Sequence, residues 1–231
     1  MLFRSGLEEI DYWLTDGYLH PEGTTERFSE TLFRVPSLNV FPPPTEVDPG
    51  PSPCLASGHV TFGSFNNLLK FNSAVAALWA RIVEQLPGAR LIVGHGHYQG
   101  AGADYISSLF GAAGFPGDRL TVDTEPLLEP EHFARLAMLD IALDPFPFGG
   151  ANTSFEAQWM GVPVVTLAGS RAAGRVTSSY NALIGLPELN ADTPARYVDI
   201  AVSLARDTER LRTLRQGLRS RLLDRKSTRL N

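Results

Sequence analysis

The sequence predicts an α/β fold in which a parallel sheet is covered by helices on both faces. Short apolar runs alternate with helical patterns over residues 59–167, which is the order typical of strand–helix–strand units. The runs are continuous rather than alternating with polar residues, as expected for strands buried on both faces. Hydrophobic residues make up 43% of the 231 residues, so the chain can bury an ordinary globular core.

The first part of the chain, residues 6–41, is predicted to hold too few elements for a domain of its own. Three elements are expected there: a strand at Ile10–Thr15, a helix around Thr25–Phe33 and a strand at Leu38–Phe41. Six prolines follow within Pro42–Pro53, and because proline lacks a backbone N–H they exclude helix and central strand. We therefore interpret residues 42–58 as a linker or a long exposed loop.

The main domain is predicted to cover residues 59–223. Its strands are expected at His59–Phe65, Ala89–Gly94, Arg119–Val122, Asp140–Leu143 and Val162–Leu167. Helices are expected between them at residues 73–86, Ala103–Ala113, Pro130–Met138 and Ser154–Met160. The first helix has the clearest pattern, since Ser73 can cap it, apolar residues recur at helical spacing and Pro87-Gly88 ends it.

Two further helical stretches follow the last predicted strand. They are expected at Arg171–Leu183 and at Pro194–Leu223, the second with a break near Asp207. Each half of the second stretch carries one apolar stripe, and arginines occupy its remaining faces.

The two ends of the chain look foreign to the rest. The strings LFRS (residues 2–5) and DRKSTRLN (residues 224–231) can each be back-translated, in one reading frame, into ends of widely used sequencing-adapter DNA. Neither string continues the neighbouring hydrophobic pattern. We interpret residues 1–5 and 224–231 as non-native ends of a fragment from a longer gene.

Composition excludes several functions. The net charge of −5 provides no general attraction to nucleic acid. The single cysteine, Cys54, can form neither an intramolecular disulfide nor a thiolate cluster. No run approaches the roughly 20 apolar residues that a membrane helix needs, and the amino terminus has no signal-type stretch. We therefore expect a cytoplasmic protein that binds neither nucleic acid nor membranes.

A glycine-rich loop at residues 144–151 leads from a predicted strand into a predicted helix. Ligands of open α/β sheets gather at such strand ends. Gly149 and Gly150 allow close backbone approach, and a helix that starts near Asn152, Thr153 and Ser154 offers unpaired N–H groups to a phosphate. The alternative is a capping box, in which Thr153 and Glu156 merely stabilise the helix by about 0.5–2 kcal/mol.

A second strand-end loop, TFGSFNNLLKFN at residues 61–72, contains Lys70. The chain has only two lysines, Lys70 and Lys226, against eighteen arginines. Lysine is a point charge suited to a phosphate, and the amides of Asn66, Asn67 and Asn72 can hydrogen-bond a ligand. The alternative is an ordinary surface lysine in a turn.

Histidines suggest one further ligand contact and no metal centre. His132 opens a helix after residues 124–131 and can face the same crevice. His95 and His97 lie on a glycine-rich turn, where two ligands make an incomplete zinc site. No Asp-x-Asp pair is present for a metal-bound diphosphate, and no Walker loop or Gly-x-Ser-x-Gly elbow is found. We predict no metal site.

With both loops identified, a family resemblance emerges. The segment from Ile10 to Leu223 resembles the carboxyl-terminal part of the O-linked N-acetylglucosamine transferase family, including its bacterial and SPINDLY-like members. The matching motifs, in order, are IDYWLTD, FGSFNNLLKFN with ALWARIVEQLPGARL, EHFARLAMLDIALDPFPFGGANTSFEAQWMGVPVVTLAG and GRVTSSYNALIGLPEL. Several long motifs in one order make the resemblance specific.

The resemblance implies a GT-B fold, in which two Rossmann-like domains face each other. Residues 6–41 would be a remnant of the amino-terminal domain, and residues 59–223 would be the domain that binds the nucleotide sugar without a metal or other cofactor. The implied activity is that of an inverting protein O-glycosyltransferase, which transfers N-acetylglucosamine from UDP-GlcNAc to Ser or Thr of proteins. The acceptor would be bound by missing amino-terminal regions that include a helical repeat array and the catalytic histidine.

The resemblance also implies roles for single residues. Lys70 matches the lysine that neutralises the diphosphate leaving group. The other matching positions are Asn67 near the phosphates, His132 and Arg135 at the base, Asn152 and Thr153 beside Gly150 and Ser154 at the helix N-terminus, and Glu156 at the ribose.

Two departures from the family pattern leave alternatives open. Glu129 stands where some relatives have a lysine, and Asn152 replaces one member of a hydroxyl pair. The donor can therefore differ, as in relatives that transfer fucose from a guanine nucleotide or in similar folds that attach hexose to asparagine. A third alternative is a non-catalytic α/β interaction module.

Overall fold

The computed structural model describes residues 7, 9–36, 44–94, 99–125 and 131–227, with their side chains up to Asp224. Its strands are β1 (Tyr12–Thr15), β2 (Thr31–Arg34), β3 (Thr61–Ser64), β4 (Arg90–Gly94), β5 (Leu120–Asp123), β6 (Ile141–Leu143), β7 (Val164–Leu167) and β8 (Asn190–Ala191). Strands β3 to β8 form one parallel sheet in the order β5-β4-β3-β6-β7-β8, and β1 pairs with β2 in a separate parallel sheet. The predicted parallel sheet is thus confirmed.

Helices cover both faces of the larger sheet. They are α1 (Cys54–Ser57), α2 (Ser73–Glu84), α3 (Ala101–Ala112), α4 (Glu131–Leu136), α5 (Asn152–Trp159), α6 (Val176–Leu183), α7 (Pro194–Arg206) and α8 (Thr208–Ser227). Helix α2 packs against α3 and α7, whereas α5 packs against α4, α6 and α8. The chain moves toward one edge of the sheet after β3 and toward the other edge after β6. Because crossovers between parallel strands are right-handed, the connecting helices of these two halves lie on opposite faces of the sheet.

The core lies between the sheet and these helices. Phe62, Leu91 and Ile141 of the central strands are fully buried. Trp79 of α2 is buried beside Tyr197 of α7 and donates its indole N–H to the Tyr197 hydroxyl at 3.1 Å. This polar contact inside an apolar layer aligns α2 with α7.

The helix predicted around Thr25–Phe33 is wrong. Residues 31–34 form β2 instead, with Leu32 paired to Trp13 and Phe33 paired to Leu14. The Thr31 N–H donates to the Asp11 carbonyl at 2.8 Å, so the strand extends the ladder of β1. Tertiary pairing outweighed a weak local helical pattern. The strand predicted at Leu38–Phe41 lies outside the described residues.

Residues 44–53 contain no helix or strand, and α1 follows them directly. This segment lies against the domain: the Trp159 indole donates to the Thr45 carbonyl at 2.9 Å, and the Arg215 guanidinium donates to the Gly50 carbonyl at 3.1 Å. Arg215 is only 4% exposed, so this arginine of α8 lies against the segment and not in solvent. Four backbone carbonyls accept hydrogen bonds from its guanidinium in place of water.

The break near Asp207 is confirmed, because α7 ends at Arg206 and α8 begins at Thr208. Helix α2 begins as predicted at Ser73, but its cap is Asn72, whose side chain accepts from the Val75 N–H at 3.1 Å. Strand β8 and helix α1 were not predicted, since both are too short to show a period.

Candidate functional site

The strand order reverses direction between β3 and β6, which places a crevice at their carboxyl ends. Two loops leave the sheet there: residues 65–72 after β3 and residues 144–151 after β6. Ligands of open α/β sheets bind at such a switch point. The Asn72 side chain donates to the Phe146 carbonyl at 2.8 Å and ties the two loops together. The two loops selected from the sequence therefore form one site.

Lys70 reaches across this crevice. Its Nζ donates to the Gly149 carbonyl at 2.8 Å and to the Asn66 Oδ1 at 3.0 Å, and it lies 4.9 Å from the centroid of the Phe148 ring. Partial burial lowers the pKa of the Lys70 ammonium, and the nearby Asp144 carboxyl opposes this shift. The surface-lysine alternative is wrong, because this side chain bridges two loops.

Asn67 is positioned differently from Lys70. Its side chain accepts from the Leu69 N–H at 2.9 Å and caps the short 3-10 turn Leu68–Lys70. The cap shapes the turn from which Lys70 projects. Asn67 is itself exposed, so its amide N–H₂ remains on the solvent side of the loop.

Asp144 lies beneath the glycine-rich loop and was missed by the sequence reasoning. Its carboxylate accepts from the Gly150 N–H at 2.5 Å and from the Thr166 hydroxyl at 2.7 Å. Complete burial raises the pKa of Asp144, while these hydrogen bonds and the charge of Lys70 act in the opposite direction. An acidic residue directly after a buried strand was the available signal. Asp144 holds the loop in shape from below.

Helix α5 starts at the crevice with no side-chain cap among the described residues. Its N-cap is Ala151, and the first helical residue is Asn152. The capping-box alternative is therefore wrong: Thr153 lies inside the helix, and the Glu156 carboxylate bonds elsewhere. The N–H groups of a first helical turn lack intrahelical acceptors and carry partial positive charge, so they suit an anion.

The first residues of α5 face different surroundings. Asn152 is exposed and Thr153 is partly exposed, so both can meet a ligand. Ser154 is buried, and its hydroxyl lies 2.9 Å from the Thr177 hydroxyl of α6. Ser154 therefore anchors α5 to α6 from inside, and its role at the ligand stays a prediction.

Gly150 is required by this packing. A Cβ at position 150 would lie 2.1 Å from the Ser154 Oγ and 3.0 Å from the Asp144 Oδ1. No side chain can be accommodated without moving these groups. The backbone of Gly150 is therefore packed directly against the Asp144 carboxylate.

His132 and Glu156 lie on facing helices. The His132 Nε2 is 2.9 Å from the Glu156 Oε2, and the His132 Nδ1 is buried with no hydrogen-bond partner in the described part of the chain. Arg135, one turn further along α4, pairs with the Asp123 carboxylate at 3.3 Å and donates to the Glu125 carbonyl at 3.2 Å. Arg135 thus contacts the end of β5.

A second wall of the site comes from the start of the chain. A cleft of about 310 Å³ lies beside Phe148 and Ala151, and the turn after β1 lines its other side with Thr15 and His20. His20 is 2% exposed. No motif of the sequence had singled out His20, because its position follows only from how β1 lies against α6.

Metal ligands do not gather in the part of the chain that the structure describes: no group of three His, Cys, Asp or Glu side chains could hold an ion. His95 and His97 lie outside the described residues. Among the described helices, none is both long and apolar enough to cross a membrane.

An open parallel sheet with a bridging lysine and an uncapped helix at its switch point defines a Rossmann-like domain. The family model described as glycosyl transferase family 41 matches residues 52–229, so this chain belongs to that family. It is 38% identical over 221 residues to a probable UDP-N-acetylglucosamine–peptide N-acetylglucosaminyltransferase SPINDLY of Petunia hybrida, covering 93% of this chain and 23% of the relative.

Two other relatives agree with this assignment. The UDP-N-acetylglucosamine–peptide N-acetylglucosaminyltransferase of Caenorhabditis elegans is 31% identical over 156 residues, which cover 68% of this chain and 13% of the relative. The solved structure of a Thermobaculum terrenum O-GlcNAc transferase mutant, K341M, superposes with a TM-score of 0.85 at 38% identity, covering 96% of this chain and 42% of that one. The fold is that of a GT-B glycosyltransferase. The chain spans about a quarter of the Petunia relative.

Proposed function

We propose that this chain is the donor-binding part of an inverting protein O-glycosyltransferase that transfers N-acetylglucosamine from UDP-GlcNAc to Ser or Thr of proteins. The observation that carries the proposal is the position of Lys70, whose ammonium lies at the Gly149 carbonyl beside the uncapped N-terminus of α5. The activities after which the Petunia and Caenorhabditis relatives are named support the donor and the protein acceptor.

The chain's own groups would bind and orient the donor. The N-terminus of α5 and Lys70 hold the diphosphate, and they stabilise the negative charge that develops on it as the glycosidic bond breaks. Two cationic elements of the protein supply this stabilisation, so we propose that transfer requires no metal. Glu156 accepts hydrogen bonds from the ribose hydroxyls, and His132 and Arg135 lie on the side of the base.

Acceptor binding and deprotonation require groups that the described crevice does not supply. We propose that regions corresponding to the rest of the longer relatives provide them. The 231-residue chain is accordingly expected to bind donor without transferring the sugar. Turnover by the purified chain on a protein acceptor would contradict this division of roles.

Calorimetry with UDP, UDP-GlcNAc, GDP and GDP-fucose tests the proposal. Binding of UDP and UDP-GlcNAc with little affinity for the guanine nucleotides is the expected result. Preference for GDP-fucose would instead favour a fucosyltransferase. In that case the exposed Asn152 at the start of α5 is a residue that can contact the different donor. Absence of binding to any of the four would favour a non-catalytic module and overturn the proposal.

A further inference from the structure

His20 is a buried side chain with an unsatisfied polar atom at the edge of the cleft. Its Nδ1 lies 2.6 Å from the Thr15 hydroxyl oxygen, whereas its Nε2 makes no hydrogen bond with any described residue. The nearest carboxylate oxygen, Oε1 of Glu26, is 3.7 Å from Nε2. A buried polar group without a partner is unfavourable, so its presence at a cleft indicates a missing ligand atom.

The turn that carries His20 is fixed to the domain. The Asp16 carboxylate accepts from the Ser179 hydroxyl of α6 at 2.6 Å, and the Arg175 guanidinium donates to the Leu19 carbonyl at 3.0 Å. The Glu26 carboxylate also accepts from the Ala172 N–H at 2.9 Å. The imidazole is therefore held in place relative to the loop at residues 148–151.

The hydrogen bonds of the His20 ring indicate which of its two nitrogens carries the hydrogen. Burial lowers the pKa of His20, which favours the neutral imidazole. The Thr15 hydroxyl has its other acceptor, the Asp16 carbonyl, only at 3.5 Å, so it donates best to the His20 Nδ1. The ring hydrogen then resides on Nε2, an arrangement that the nearby Glu26 carboxylate also favours. Nε2–H is thus a donor in need of an oxygen.

Apart from His20 and Thr15, the side chains that line the cleft are mostly apolar. Besides His20 its walls include Trp13, Leu19, Phe148, Ala172 and Val176. Gly149, whose carbonyl accepts from Lys70, lies on the same cleft. A diphosphate bound at Lys70 and α5 would therefore direct the sugar attached to it toward this cleft.

We propose that His20 binds the sugar of the nucleotide sugar, donating its Nε2–H to a hydroxyl or carbonyl oxygen of that sugar. The inference rests on the proposed function, because it requires a nucleotide sugar at Lys70. It adds a sugar-selective residue from outside the six-stranded sheet. His20 thereby contributes to the affinity for the nucleotide sugar and not to the affinity for the nucleotide alone.

The test compares nucleotide and nucleotide sugar in His20→Phe, which keeps an aromatic ring against Phe28, whose ring centroid lies 4.9 Å away. Calorimetry is performed with UDP and UDP-GlcNAc, and in parallel with GDP and GDP-fucose. We expect affinity for the bound nucleotide sugar to fall about 10-fold and affinity for its nucleotide diphosphate to stay unchanged, as for loss of one buried hydrogen bond. His20→Gln, which retains an N–H donor, should recover part of the loss.

Tyr18→Phe is the matched control, since it removes one polar group from the same turn at a side chain that is 47% exposed. It should leave both affinities unchanged. Equal affinities of wild type and His20→Phe for the nucleotide sugar, or equal losses for both ligands, would overturn the role of His20 and leave the proposed function standing. A wild-type chain that binds no nucleotide would overturn both.

A second measurement avoids substitution altogether. With ¹⁵N-labelled histidine, the Nε2 resonance of His20 should shift when the nucleotide sugar is added and remain in place when the nucleotide diphosphate is added. The reverse pattern, or no shift with either ligand in a chain that binds both, would contradict the proposal.

Discussion

The His132 Nε2 and the Glu156 Oε2 lie 2.9 Å apart and join α4 to α5 across the carboxyl ends of the strands. Two residues assigned by resemblance to the base and to the ribose are thus in direct contact before any ligand binds. Such a contact orders both side chains, so less conformational entropy is lost on binding. The pair would thus be a prearranged part of the proposed nucleotide site.

Glu156→Gln should weaken UDP binding several-fold, because a neutral amide accepts hydrogen bonds from ribose hydroxyls less strongly than a carboxylate does. Calorimetry with UDP and with 2′-deoxy-UDP checks this, since the loss should be smaller for the ligand with one hydroxyl fewer. Glu188→Gln removes a carboxylate that pairs with Arg210 on the surface and should change neither affinity. Identical losses for the two ligands would exclude a contact between Glu156 and the 2′-hydroxyl.

Lys70→Met should lower UDP affinity about 10–100-fold, as expected for loss of a charge-assisted hydrogen bond to phosphate. The same substitution should make binding less sensitive to salt. Arg81→Met is the matched control, because Arg81 is an exposed cation on α2. If the two variants bind UDP equally well, the diphosphate is not held by Lys70.

Gly150→Ala should abolish most nucleotide binding, because the new Cβ would meet the Ser154 Oγ at 2.1 Å and force the loop away from Asp144. Titration with UDP and a thermal melt measure affinity and stability together. Gly111→Ala makes the same chemical change inside α3, where a Cβ has no described atom within 4 Å. It should raise helix stability by about 0.5–1 kcal/mol and leave UDP affinity intact. Wild-type affinity in Gly150→Ala would show that the loop tolerates displacement.

Arg215→Met should destabilise the chain by about 3–5 kcal/mol. The guanidinium donates to the carbonyls of Pro49, Gly50, Ala137 and Leu139, and the substitution would remove all four of these hydrogen bonds together with the packing of a buried side chain. Urea unfolding measures the loss. Arg212→Met removes an arginine from the exposed side of α8, where it pairs with Glu209, and should change stability by less than about 1 kcal/mol. Similar values for both variants would show that burial of Arg215 contributes nothing.

Stability should depend on pH through Asp144. Burial raises the pKa of its carboxyl in the folded chain, so the unfolded chain releases this proton at lower pH. The stability contributed by this group therefore falls as pH rises from the ordinary carboxyl range through the raised folded pKa. Asp144→Asn cannot ionise, so the difference in unfolding free energy between the variant and the wild type should move in favour of the variant as pH rises above about 4, the ordinary carboxyl range. Parallel curves from urea unfolding would contradict this.

Local patterns were sufficient for most strands and helices of the main domain, although not for the two-residue strand β8. The helix that begins at Ser73 and the strand at residues 90–94 have periods and end signals that act over a few residues, so they could be predicted. The helix expected around Thr25–Phe33 failed because its alternative, pairing with β1, involves residues far along the chain. A weak local preference cannot register such a contact.

The sequence by itself determined the parallel α/β architecture, the two strand-end loops and Lys70 as the cation between them, because strand burial and helix starts follow from neighbouring residues. Only the tertiary structure decided what these side chains contact. It buried Asp144 beneath Gly150, paired His132 with Glu156 and brought His20 to the cleft. Hydrogen bonds between distant segments depend on distances that the folded chain alone sets, and no local pattern encodes them.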